Sequence, residues 1–259
     1  MRILISNDDG IDAPGINALA ETLKEIGEVT VVAPHRERST SGHSLTLHKA
    51  LRCYEVKPGF FSVSGTPADC VYMATRHIMK DKRPDIVVSG INKGANLGGD
   101  IYYSGTVAAA REAATCGLKS IAISLVYSHH APPATYHWET ACAFAKIFVP
   151  MILKYPLKTN TILNINCPNQ PLKEIKGAKL AKQGVRYYSD EIAERLDPRN
   201  RRYYWLGGEY KGFENTPGSD CVVVDQNYVS ITPLKVDSTD YELMEEFKKW
   251  NISFGNNKS

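Results

Sequence analysis

The 259-residue sequence contains no apolar run approaching the ~20 residues needed to cross a membrane. Its opening segment, MRILISNDDG, has only Ile3-Leu4-Ile5 as an apolar stretch, too short for the apolar region of a secretory signal. No two of the six cysteines (Cys53, Cys70, Cys116, Cys142, Cys167 and Cys221) form a Cys-x-x-Cys pair, which argues against structural zinc and against a dense disulfide scaffold. Charge of one sign is also scarce. Thirty-one Lys and Arg against 28 Asp and Glu leave +3, too little by itself to point to nucleic acid or a membrane surface. Neither Gly-x-Gly-x-x-Gly nor a Gly-Lys-Ser/Thr loop occurs, which weakens dinucleotide and NTPase readings. There is no internal repeat or low-complexity tract. What these absences leave is the expectation of a reduced, cytoplasmic enzyme.

Hydrophobic residues make up 43% and charged residues 23%, as in ordinary globular proteins. At this mass a compact monomer should expose about 11,000 Å² of the about 42,000 Å² of its unfolded chain, enough burial for a core without staples. Up to about residue 165, short β-branched runs alternate with longer amphipathic segments. Arg2–Ser6, Val29–Ala33, Asp85–Ser89, Ser120–Leu125 and Thr161–Asn166 read as strands; Pro14–Ile26, Ser104–Cys116 and Tyr136–Leu153 read as helices. His43–Val63 reads as extended pairs around a Lys57-Pro58-Gly59 turn. Thr66 and Pro67 suit the N-cap and first position of another helix. Strands apolar on both faces and alternating with helices predict a doubly wound α/β fold with a mostly parallel sheet. After residue 183 the texture changes: five arginines are interleaved with tyrosines and Trp205. A strand over Tyr228–Thr232 and a closing helix capped by Ser238 follow. The expected division is a core over 1–183 and an extension over 184–259.

Three segments that follow predicted strands carry chemistry. Asp8 and Asp9, in Ser6-Asn7-Asp8-Asp9-Gly10, are adjacent carboxylates that repel unless one is protonated or a cation intervenes. Hard oxygen ligands at such a bend suit Mg²⁺ or Mn²⁺, although the same residues also make turns. The loop PHRERSTSG offers Ser39, Thr40 and Ser41 beside Arg36 and Arg38, or is simply a polar loop. Ser89–Asp100, rich in glycine, leads into Ser104-Gly105-Thr106, where the free amides of a helix start can form an anion pocket. In a parallel sheet all three meet at one edge, and together they amount to a metal-plus-phosphate site. Of the seven histidines, His129 and His130 read as solvated, and His43, His48 and His77 as packing or surface residues. His35 lies closest to the proposed site, with nothing to orient it. The Arg/Tyr stretch reads as an arm packing on another subunit in preference to a nucleic-acid contact.

Motifs from end to end resemble the SurE family of stationary-phase survival proteins. These are the opening decapeptide, Ala13-Pro14-Gly15, Val31-Val-Ala-Pro34, Ser44-Leu-Thr-Leu47, Gly65-Thr-Pro-Ala-Asp-Cys-Val71, Ser89–Gly94, Tyr103–Ala109 and Tyr228–Leu234. The resemblance implies a Rossmann-like core, a C-terminal extension exchanged in dimers or tetramers, and 5'- and 3'-nucleotidase activity. It implies one divalent metal per subunit, Mg²⁺ or Mn²⁺, held by Asp8, Asp9, Ser39 and Asn92. Asn96, Ser104, Gly105 and Thr106 would line the phosphate pocket. One departure is Thr40, where family members often have glycine, which leaves Ser41 as a substitute ligand.

On this reading the substrate is a nucleoside monophosphate, and a water activated at the metal, oriented or deprotonated by Asp8 or Asp9, attacks phosphorus. An aspartyl-phosphate route is disfavoured because Gly10 follows Asp9, so the i, i+2 Asp pair is missing. Competing expectations are a module that binds a phosphorylated ligand without turnover, and an RNA-binding arm.

Overall fold

The computed structural model describes residues 1–127, 135–155 and 157–250; His129 and His130 lie outside them. Its elements begin with β1 (Arg2–Ser6), α1 (Pro14–Leu23), β2 (Glu28–Pro34), β3 (Cys53–Lys57), β4 (Phe60–Val63) and α2 (Pro67–Met73). Next come β5 (Ile86–Lys93), α3 (Gly105–Thr115), β6 (Lys119–Val126), α4 (Trp138–Lys154), β7 (Thr161–Pro168) and β8 (Ala178–Leu180). The chain continues with β9 (Arg186–Tyr188), β10 (Ile192–Leu196), β11 (Arg202–Leu206) and β12 (Tyr210–Phe213). It closes with α5 (Asp220–Asp225), β13 (Val229–Lys235) and α6 (Tyr241–Phe247).

Nine strands form one sheet in the order β3-β4-β2-β1-β5-β6-β7-β13-β8. Pairing is parallel from β4 through β7, while β3 and β13 join antiparallel. This is the expected doubly wound α/β architecture. Alternation along β1 shows why both faces are covered, since successive side chains point to opposite sides. Ile3 and Ile5 pack on one face with Ile16 and Leu19 of α1 and Ala145 and Val149 of α4. Leu4 packs on the other with Val71 of α2 and Ala109 and Ala113 of α3. Each of the three is fully buried, a gain of about 1.5–3 kcal/mol apiece.

Local chemistry sets the helix starts. Thr66 accepts from the Asp69 N–H and Asp69 Oδ2 accepts from the Thr66 N–H at 2.8 Å, a complete capping box with Pro67 in the first turn. Ser104 caps α3 by accepting from Val107 N at 3.0 Å. The closing helix is shorter than its sequence suggested, and its cap is Asp240, which accepts from Leu243 N at 2.9 Å. Ser238 cannot serve, because Asp237 Oδ1 closes a tight turn there on Thr239 N at 3.0 Å. Nor is all of 43–63 paired: residues 43–52 form no strand. They are tied down by side chains instead, with Thr46 N and Oγ1 both donating to Asp69, at 2.8 and 2.5 Å.

Beyond residue 183 the chain makes two antiparallel ribbons, β10–β11 and β12–β9, and then returns to the sheet as β13 between β7 and β8. The extension is therefore not detached: its strand is part of the main sheet. Every residue of β10 and β11 is exposed, and the chain exposes 14,806 Å² against the about 11,000 Å² of a compact monomer.

Candidate active site

Strand order reverses at β1, with β2 on one side and β5 on the other; in open parallel sheets that crevice is where ligands bind. β1 ends because Asn7, fully buried, folds the chain back on itself. Its Nδ2 donates to Gly10 O at 2.9 Å and its Oδ1 accepts from Gly10 N at 3.2 Å. The loop after β2 is fastened to this turn by Arg38 N donating to Asp8 O at 2.7 Å and by Ile11 N donating to Pro34 O at 2.8 Å. β5 reaches the same edge after a register shift against β6 between Ser89 and Asn92.

Both carboxylates here are raised above the ordinary value. Asp8 is raised mainly by burial, partly offset by hydrogen bonds from the Thr106 hydroxyl and from backbone N–H groups including those of Thr106 and Gly105. The Thr106 Oγ1–Asp8 Oδ1 distance is 2.5 Å. Asp9 is pushed up to about 7, first by burial, then by the neighbouring Asp8 charge. Its Oδ2 accepts from Lys93 N at 3.1 Å. A cation between the two would favour the ionised form of both.

A cavity of about 630 Å³ gathers Asp8, Ser39, Asn92, Asn96 and Ser104 from four separate segments. Asp9, Gly105 and Thr106 do not line it. Thr106 is fully buried, and its hydroxyl is already donated to Asp8. The helix-start amides, expected to face an oxyanion, act on the Asp8 carboxylate instead, so α3 supports the acid from below. Ser41 does not line the cavity either, whereas Ser39 and Thr40 do. Thr40 stands at φ +57°, a left-handed conformation that costs a β-branched residue about 1 kcal/mol or more and that glycine adopts freely. A glycine here, as the resemblance leads one to expect, would be free of that cost.

Ser39 Oγ donates to Glu37 Oε1 at 2.6 Å. Asn92 Nδ2 donates to Gly94 O at 2.9 Å, leaving its Oδ1 as the uncommitted atom. Asn96 is anchored throughout: its N–H donates to Asn166 Oδ1, its Nδ2 to Ser124 Oγ, and its carbonyl accepts from Asn164 and Asn166. Among the described residues no histidine lines the cavity. His35 only approaches Val63 O at 3.4 Å, and His43 pairs with Glu112 at 2.8 Å.

That the ribbon stems close this cavity is a feature sequence reasoning missed. Tyr188, Ser189 and Leu206–Gly208 line it together with Asp100 and Tyr103. Asp100 Oδ2 accepts from Tyr188 OH at 2.7 Å and from Arg186, pinning the ribbon to the 98–102 turn. Gly207-Gly208 after an aromatic run was the only local signal, and it reads equally well as a hairpin end.

The raised carboxyl of Asp9 has a consequence for stability. Between about 3.8, its unfolded value, and about 7 the folded state holds more of this proton than the unfolded state. Its contribution therefore turns against the fold as pH rises through that window and is level above it. Melting of chelated wild type and Asp9→Asn from about pH 4 to about pH 8 should show wild type losing ground to the variant as pH rises. Parallel curves would remove this account.

Fold and site together define a doubly wound α/β protein with adjacent carboxylates, one buried and one partly buried, at its strand-order reversal and a helix start anchoring the buried acid. The chain belongs to the SurE family: the family model described as "Survival protein SurE" matches residues 3–190. A relative from Geobacter sulfurreducens named 5'-nucleotidase SurE is 46% identical over 253 residues, covering 98% of this chain and 95% of the relative. Another of that name, from Vibrio campbellii, is 45% identical over 250 residues, covering 96% of this chain and 94% of the relative. Among solved structures, the SurE protein from Aquifex aeolicus superposes with a TM-score of 0.84 at 40% identity, covering 97% of this chain and 100% of that one.

Proposed function

We propose that this chain is a divalent-metal-dependent phosphomonoesterase that hydrolyses nucleoside 5'-monophosphates, and 3'-monophosphates as well, to nucleoside and phosphate. The relatives' shared name supports the 5'-nucleotidase activity. The observation that carries the reading is the meeting of Asp8, Ser39, Asn92, Asn96 and Ser104 around one cavity at the switch point of the sheet.

The donor set fits Mg²⁺ or Mn²⁺. Among the described residues no three His, Cys, Asp or Glu side chains converge as a metal site. What is offered is two carboxylates, the free Oδ1 of Asn92 and the Ser39 hydroxyl, all hard oxygen donors. A cation held there would neutralise charge on the phosphoryl group and acidify water. The protein's own part is positional. Thr106 and the first amides of α3 fix Asp8. The Asp8–Asp9 pair then orients the attacking water and accepts its proton. Ser104, whose oxygen accepts from Val107 N, still has its hydroxyl proton for a phosphate oxygen. Ser124 can donate as readily as accept, so Asn96 can turn its Nδ2 to the substrate without losing that bond. Lys93 lines the cavity and supplies positive charge.

Release of phosphate from AMP or GMP, abolished by chelator and restored by Mg²⁺ or Mn²⁺, is the expected result. Tight binding of these nucleotides with no turnover under any divalent metal would replace the enzyme by a binding module.

The exposed ribbon supports a homo-oligomer, dimer or tetramer, better than an RNA contact. Ile192, Leu196, Trp205 and Leu206 are exposed apolar side chains, and three of the stretch's five arginines are already paired, Arg186 with Asp100, Arg201 with Asp197 and Arg202 with Glu194. Sedimentation should give a multiple of 28.7 kDa; a monomer at micromolar concentration would refute assembly through this ribbon. No described helix is long and apolar enough to cross a membrane. The free cysteines support the cytoplasmic reading.

A further inference from the structure

A second cavity, of about 480 Å³, lies between α3, the 98–102 turn and the end of β13. Three cations line it: Arg111, Lys182 and Lys235. Among the described residues none of them makes an ion pair or a side-chain hydrogen bond. Arg111 is half-buried; its guanidinium lies 5.5 Å from the Tyr102 ring centre, which leaves its buried Nε without a partner. Thr232, 2% exposed, lines the same cavity, and its Oγ1 is also buried and unpartnered. The carboxylate lining the cavity, Asp237, accepts from Thr239 N at 3.0 Å and from Tyr241 OH, and the Lys235 charge acts on it without an ion-pair contact.

Buried donors left without acceptors carry a desolvation penalty, and native structures leave few of them. Stacking on Tyr102 accounts for the position of the Arg111 guanidinium but satisfies none of its N–H groups. The need is for an acceptor with several oxygens and negative charge, in a space of the size that small ligands occupy. Guanidinium with two ammonium groups and a hydroxyl is the donor set that recognises a phosphate group.

We propose that this cavity binds a small phosphate-bearing anion, inorganic phosphate or a phosphomonoester, held by Arg111, Lys182, Lys235 and the Thr232 hydroxyl. The site is distinct from the first cavity and does not depend on that cavity hydrolysing anything. The two share a wall: Ile101 and Tyr102 face the second, and Asp100 and Tyr103 face the first. Its occupant therefore rests on the turn that holds the ribbon stem over the first cavity.

The test is calorimetric titration of the full chain with inorganic phosphate in the presence of chelator, comparing wild type with Arg111→Met, Thr232→Val and, as a control in the first cavity, Lys93→Met. Expected is saturable binding by wild type, about tenfold or more weaker in Arg111→Met, as for loss of a hydrogen-bonded charge. Thr232→Val should weaken it several-fold, with wild-type affinity in Lys93→Met. If Arg111→Met melts well below wild type, Thr232→Val and Lys235→Met decide. No saturable binding by wild type up to about 10 mM, weaker than the usual range for a specific small-ligand site, would overturn the proposal. So would affinity lost in Lys93→Met and retained in the other variants. A cavity filled by an acidic side chain from a second copy would give the first of these outcomes.

Discussion

Asp8→Asn should lower kcat/KM for nucleoside monophosphates by roughly 10³-fold or more, combining the usual losses for a general base and for a metal ligand. The side chain keeps its shape, and its Oδ1 can still accept from Thr106 Oγ1, now 2.5 Å from Asp8. Two things change. One negative charge leaves the place where a cation and an attacking water must be held. An NH₂ group now also faces the amides of Gly105 and Thr106, which act favourably on the carboxylate. Stability should move the other way without metal, because the second-largest cause raising Asp9 is the Asp8 charge and the substitution removes it. Chelated Asp8→Asn should thus melt at or above wild type, and added Mg²⁺ should raise its melting temperature less. This opposition is the signature of a strained functional site. A variant within tenfold of wild-type kcat/KM would remove Asp8 from the chemistry. Equal loss of activity and stability would make it a structural residue.

Much of this arrangement was legible in the sequence, and the reason is local. The apolar β-branched runs, the amphipathic segments, Thr66-Pro67 and Ser104 each fix an element through bonds within a few residues. A parallel sheet then puts every strand-following loop on one edge, so Asp8, Ser39 and Asn92 were expected together and are. What was not legible depends on distant partners. Strand order, and the antiparallel insertion of β13 between β7 and β8, leave no mark on hydrophobic period. Thr106 and the first amides of α3 looked like an oxyanion cradle because a free helix start is one; only the three-dimensional placement shows them committed to Asp8. The stems at Tyr188 and Gly207 belong to the cavity by virtue of Asp100, which takes a bond from Tyr188 88 positions away in sequence. Thr40 is the instructive departure: its left-handed backbone is one that glycine adopts freely, yet a threonine holds it, its Oγ1 donating to Ser39 O at 2.7 Å.

Gly105→Ala should be damaging where helix propensity alone says it should help. Alanine is favoured over glycine in a helix by about 0.8–1 kcal/mol, and Gly105 is the first residue of α3. A Cβ at this position, however, would lie 2.7 Å from Asp8 Cβ, 2.9 Å from Asp8 Oδ2 and 3.0 Å from Pro67 Cγ. None of these neighbours is the free end of a flexible chain. Asp8 is held by Thr106 and by its place in the Asn7–Gly10 turn, and Pro67 by the capping box of α2. The clash therefore has to be relieved by moving α3 away from the β1 edge, at the about 1–3 kcal/mol typical of overpacking, which exceeds the propensity gain. Melting should fall by roughly 2–8 °C, at about 2–4 °C per kcal/mol for a chain of this size. Activity should fall further, by about 10²-fold, because a shift of about 1 Å in a catalytic group is enough for that. Gly99→Ala supplies the control: nothing lies within 4 Å of its Cβ, so it should stay within about 0.5 kcal/mol of wild type with full turnover. If Gly105→Ala instead melts higher than wild type and turns over normally, the close seating of Asp8 on the start of α3 is wrong, and the role assigned to that helix goes with it.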